Sequence, residues 1–159
     1  MRSDLLIFTF WIPRGIIARA LFPLKDKYKI LYVSGDCGLR TLESQVVKLK
    51  PRYILGLGYY RKGMKYIRSE QTFQNSYGKS VISPEGKAEY ASTWKLSHEL
   101  IKDAFNAGNS RCNQFAYTVA DVIEKNNLSG TKFAYLHVAP DYPHDSLRIA
   151  ITDVLESAS

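Results

Sequence analysis

The stretch that most constrains this chain is "DLLIFTFWI", residues 4–12, closed by Pro13-Arg14-Gly15. A strand with one wet face alternates apolar and polar residues, whereas a strand covered on both faces reads as an unbroken apolar run. This run therefore predicts a central strand with helices over both sides. "YKILYVSG", stopped by Gly35 and Gly38, and "RYILGLGYY" read as further strands, and "TKFAYLHV", ended by Pro140, as another buried strand. Between the second and third runs, Leu39, Leu42, Val46 and Leu49 recur at helical spacing, with Pro51 as the stop. Strand, helix, strand predicts a parallel pair joined by a right-handed crossover.

The remaining segments fill out this frame. "GMKYIRSEQTFQNSYG" alternates and reads as extended, and "KSVISPEGKAEYAS" reads as a loop around Pro84 and Gly86. "HELIKDAF" suits either a short helix, through Leu100, Ile101 and Ala104, or a strand entering the Asn-Ala-Gly turn. From Asn109 a helix follows, with Cys112, Ala116, Val119, Ala120 and Ile123 on one stripe; "NNLSG" ends it. Leu147, Ile151, Val154 and Leu155 form the apolar face of a C-terminal helix. Strands interleaved with helices predict an α/β sandwich with a largely parallel sheet. "GLGYYRKG" matches no phosphate-binding pattern and reads as a turn signal.

Composition narrows the function classes. With 159 residues, a single domain over 1–159 is expected. The net charge is +7, but no run reaches five like charges, so nucleic acid is not an expected partner. Two cysteines outside any C-x-x-C pair and three histidines argue against a disulfide framework or a zinc site. A reducing, cytoplasmic compartment fits best. The N-terminal apolar run, Leu5 to Ile12, is too short for a membrane span of about 18 residues or more. Ala18-Arg19-Ala20 imitates a cleavage site, yet the run reads better as a buried strand than as a signal peptide.

Sites in such sheets gather where strands lead into helices. Cys112 opens a helix, His137 closes a strand, and Glu70 lies in the extended segment after the third strand. A cysteine in a first helical turn, capped by Asn109 or Ser110, meets unsatisfied N–H groups and the positive end of the dipole. Both favour thiolate, and the same N–H groups suit an oxyanion. An imidazole held by a carboxylate would complete the nucleophile. Equally, a cysteine on an apolar helix face is commonly a small buried hydrophobe. Cys37, in "SGDCGLR", also precedes a helix; His98 and His144 read as surface residues.

"NAGNSRCNQFAY" resembles the cysteine motif of the pyroglutamyl peptidase I family, the pyrrolidone-carboxylate peptidases: Ala107-Gly108, Cys112-Asn113 and Tyr117 fall on its positions. "YLHVAP" resembles the family's histidine segment and gives His137; "SEQTFQN" resembles its glutamate run and gives Glu70 and Asn75. "FTFWIPRG" is faintly similar to the N-terminal pocket loop, placing Phe10 on a pocket phenylalanine. The resemblance spans nearly the whole chain. It implies a three-layer α/β/α sandwich with a mixed, largely parallel central sheet, and hydrolysis after an N-terminal pyroglutamate. Cys112, His137 and Glu70 would be catalytic; Phe10, Asn75, Arg111 and Lys79 would meet substrate; no metal or cofactor would be needed. The partners implied are a peptide or small amide and, as in the family, further copies of the chain, not a membrane.

The departures bear on specificity. Ser110 and Arg111 stand where the family has an aromatic and an apolar residue, Pro13 where it has a pocket phenylalanine, and Leu57 where it has Gln. "YGKSVI" replaces the segment carrying its arginine, with Lys79 as the stand-in. "STWKLSHELIKDAF" has room for the strand but not the helix that the family places there. Two readings follow: a cysteine hydrolase for pyroglutamate or a related small N-acyl or lactam group, or a weakly active or inactive relative that binds a partner through a basic surface.

Overall fold

A computed structural model describes residues 2–12 and 14–158. In chain order the first half gives β1 (Arg2–Phe10), α1 (Ile16–Leu21), β2 (Tyr28–Val33), α2 (Gly35–Leu49), β3 (Tyr53–Tyr59) and β4 (Ile67–Glu70). The second half gives β5 (Thr72–Gln74), β6 (Glu89–Ala91), β7 (Ile101–Ala104), α3 (Arg111–Lys125), β8 (Lys132–Val138) and α4 (His144–Ser157). Six strands form one sheet in the order β2-β1-β3-β8-β4-β7, while β5 and β6 pair separately as an antiparallel ribbon. The first four strands of that order are mutually parallel; β4 runs antiparallel to β8, and β7 follows β4. The sheet is mixed and mostly parallel, between two helical layers.

The unbroken apolar run behaves as its composition requires. Leu5, Leu6, Ile7 and Phe8 have no exposed surface. Leu5 and Ile7 join the core under α1 and α4; Leu6 and Phe8 join the core under α2 and α3. Because β1 sits between β2 and β3, the α2 crossover steps over a strand instead of joining neighbours.

Three elements differ from the sequence reading. Ile16–Leu21, including the Ala18–Ala20 imitation of a cleavage site, is a helical turn and a half whose Ile16, Ile17, Ala20 and Leu21 are buried. Two isoleucines and only six residues hid its helical period. Within the segment read as a loop, Glu89–Ala91 is a strand. β2 stops at Val33, and the helix α2 begins earlier than read, so that Gly35 and Gly38 lie in its first turn. At 101–104 the ambiguous segment is the strand β7.

"RYILGLGYY" forms β3 as read, with Gly56 and Gly58 in its interior, so the turn signal of "GLGYYRKG" does not begin at these glycines. A Cβ at Gly56 would fall 2.4 Å from Tyr135 Cδ2 and 2.6 Å from Phe8 Cζ. The missing side chain is thus the trough in which the Tyr135 ring lies. Gly56→Ala should destabilise the protein by about 1–3 kcal/mol, the usual range for overpacking a closed core. Urea unfolding checks this; an unchanged midpoint would mean the trough is not tight.

Candidate active site

The site is assembled by register. In β3 and β8, Gly58 is the partner of His137. In the antiparallel pair, Arg68 of β4 faces His137 and Glu70 faces Tyr135. Glu70 is therefore the diagonal neighbour of His137, within reach of a long side chain. Its Oε1 lies 2.7 Å from His137 Nδ1, with both residues almost fully buried. A buried carboxylate needs partners to offset desolvation. Arg68 supplies them: Nε donates to Oε1 at 3.0 Å and Nη2 to Oε2 at 3.3 Å. The guanidinium also lies over the Tyr60 ring, 4.4 Å from its centroid, and Tyr60 packs against His137 at 5.3 Å between centroids. Sequence reading missed Arg68. The signal was its spacing, two residues before Glu70 on an alternating strand and so on the same face.

Cys112 is the second residue of α3, half-buried, with Sγ 4.0 Å from the Tyr59 carbonyl oxygen. A Cβ at Gly58 would fall 2.9 Å from that sulfur, so the thiol rests on the bare backbone beside His137. Ser110 occupies the N-cap position, but its side chain makes no capping bond, and Asn109 Nδ2 donates to Gly78 O at 3.4 Å. Neither side chain caps the helix, so the first-turn N–H groups receive no acceptor from them. The helix end is tied down by Asn113 instead. Fully buried, it donates to Gln74 O and Ser76 O at 2.8 Å each and accepts from Gln74 N at 2.9 Å.

Burial disfavours a charged His137 ring, but hydrogen bonds and negative charge from Cys112 and Glu70 outweigh it and push its pKa up to about 9. The raised value favours the protonated ring, which can hold a proton beside Cys112 and give it away. Among the described residues no cluster of His, Cys, Asp and Glu is arranged to hold a metal ion.

No family profile matches the sequence, and no curated protein aligns with it. Solved structures do match its shape. Pyroglutamyl peptidase I of Bacillus amyloliquefaciens superposes with a TM-score of 0.79 at 16% identity, over 97% of this chain and 93% of that one. Pyrrolidone carboxyl peptidase of Thermus thermophilus gives 0.76 at 14% identity, over 96% and 98%. That of Thermococcus litoralis gives 0.73 at 12%, over 96% and 92%. The chain has the fold of the pyroglutamyl peptidases.

On this pyroglutamyl peptidase fold the four expected substrate positions separate. Phe10 ends β1 edge-on to Phe115, 4.9 Å between centroids, on the side of the sheet where Cys112 packs. Asn75 is spent inside its own loop: Oδ1 accepts from Ile82 N and Ser83 N, and Nδ2 donates to Ser83 O and Gly86 O. That leaves it little capacity for a ligand. Arg111 donates to Asp36 and Gln114 and lies over Tyr77, so its charge is engaged away from the sulfur. Lys79 stands exposed on the Tyr77–Ser80 turn. Pro13 lies outside the described residues. Cys37 is exposed in the first turn of α2. His98 is not a surface residue: its side chain is 11% exposed, pairs with Asp153, and accepts from Leu100 N. His144 is half-buried beside Asp145.

Glu70→Gln should return the His137 pKa from about 9 toward its ordinary value, read by NMR titration of the labelled imidazole. The folded-state pKa lies above the ordinary value of about 6.5. The linked stability is therefore full below about 6.5 and lost as pH rises through about 9, and unfolding free energies should fall across that window. An unmoved titration in Glu70→Gln would detach the carboxylate from the ring.

Proposed function

We propose that this chain is a divergent, short pyroglutamyl peptidase, a cysteine hydrolase that removes N-terminal pyroglutamate or a related small N-acyl or lactam group. The observation that carries the reading is the Glu70–His137 bond placed beside Cys112 at the start of α3. Its fold is that of peptidases, and the Cys, His and Glu segments stand in the order the resemblance requires.

In this mechanism His137 holds the proton taken from Cys112, and the thiolate attacks the acyl carbonyl. The oxyanion is met by the open N–H groups of the first turn of α3. The imidazolium then protonates the departing amine and leaves a thioester on Cys112. A water molecule, deprotonated by the now neutral His137, attacks the thioester; acid and thiol are released. Glu70 orients the ring and stabilises its charge, and Arg68 holds Glu70 in place. Phe10 is the pocket wall retained in the reading. Lys79 remains the cation of the pocket rim, while Arg111 and Asn75 brace the site from outside. A cytoplasmic location keeps the exposed Cys37 and the reactive Cys112 reduced. The non-catalytic alternative draws on the cleft lined by Arg61, Lys62, Lys65 and Lys102, a surface for an anionic partner.

Cleavage of a pyroglutamyl fluorogenic amide should be lost, by about 10³-fold or more, in Cys112→Ala and His137→Ala. The kcat/KM profile should fall on its alkaline side as pH passes about 9, where His137 loses its proton. Turnover that survives Cys112→Ala would refute the reading. An inert wild type whose Cys112 also resists alkylation at neutral pH would leave the non-catalytic alternative.

A further inference from the structure

Tyr135 is completely buried, and its hydroxyl is one of two buried side-chain oxygens without a hydrogen-bond partner among the described residues. Native interiors rarely bury a hydroxyl this way, because the lost bond to water is not replaced. Phenylalanine would fill the same trough without that cost. Position and direction of the hydroxyl are set by β3: a Cβ at Gly58 would fall 2.2 Å from the Tyr135 oxygen and 2.9 Å from Cys112 Sγ. Hydroxyl and sulfur thus converge over one bare backbone position, reserved by a glycine. The ring is held by the Gly56 trough and stands edge-on to His137, 5.2 Å between centroids.

We propose that Tyr135 is a further catalytic residue, whose hydroxyl donates a hydrogen bond to the Cys112 sulfur when it becomes a thiolate. The thiol proton passes to His137; Tyr135 keeps its own proton throughout. Burial, followed by the charge of Cys112, raises the Tyr135 pKa well above the ordinary value, so the hydroxyl stays a donor. A thiol offers only a weak acceptor and a thiolate a strong one, so the bond strengthens as charge forms on the sulfur. This inference rests on Cys112 being the nucleophile, but its test needs no substrate.

The bond has a signature that a packing role lacks. It raises the thiolate fraction and lowers the nucleophilicity of each thiolate, by roughly threefold for every tenfold gain in fraction. The gain is therefore confined to pH values where the thiol is only partly ionised. The experiment is alkylation of Cys112 by iodoacetamide across the neutral and alkaline range, in a Cys37→Ala background that removes the exposed competing thiol. Tyr135→Phe should react about three- to tenfold more slowly near neutral pH, with the midpoint moved upward, and match or overtake the parent at alkaline pH. That crossing also shows that the variant is folded. Superimposable profiles, or a slowing uniform at every pH, would overturn the proposal. Failure of pyroglutamyl cleavage with the crossing intact would count against the peptidase reading alone.

Discussion

The buried hydrogen bond between Glu70 and His137 is the interaction around which this structure is arranged. A carboxylate without solvent access is tolerated only when both oxygens are answered. Here one oxygen is shared by His137 and Arg68, and the other is taken by Arg68. The arrangement demands three side chains from two strands on one face, at registers that cannot slip by a residue without sending them through the sheet. The antiparallel turn of β4 within an otherwise parallel neighbourhood provides those registers. Parallel β8 and β3 then bring the imidazole over Gly58, where the first turn of α3 delivers the sulfur.

The site therefore joins two kinds of constraint that ordinarily compete. Packing favours apolar groups in the sheet core, yet Arg68, Glu70, Tyr135 and His137 carry charge or hydrogen-bonding groups into it. The glycines of β3 make the room, and Asn113 fixes the helix that closes it. The helix N-terminus itself is left without a side-chain capping bond from its N-cap residue. Two of the positions expected to meet substrate are engaged by the scaffold: Arg111 bridges to α2, and Asn75 closes its own loop.

Much of this was legible in the sequence where a local pattern has one physical reading. The apolar runs of β1, β3 and β8 became inner strands of the sheet, while "YKILYV" became the edge strand β2; the stripe from Cys112 to Ile123 became α3, and the apolar face from Leu147 to Leu155 became α4. The segment before Ala107 could be resolved only by its tertiary partner, since Ile101–Ala104 is a strand because β4 lies beside it. "RYILGLGYY" was legible as a strand, but only the neighbouring Tyr135 and Cys112 show why its glycines are bare. Arg68 was hidden for the same reason: its partner is two residues away in sequence, but its importance comes from the burial of Glu70, which no local pattern encodes.

The central claim is that Cys112 carries the acyl group. Rapid acid quenching of the protein during turnover of a pyroglutamyl amide, followed by peptide mapping in a mass spectrometer, tests it directly. The account predicts a mass increase of one pyroglutamyl group on the peptide containing Cys112, absent in Cys112→Ala and longer-lived when His137 is replaced. Turnover with Cys112 unmodified at every time point, or with the acyl group on Cys37, would contradict it.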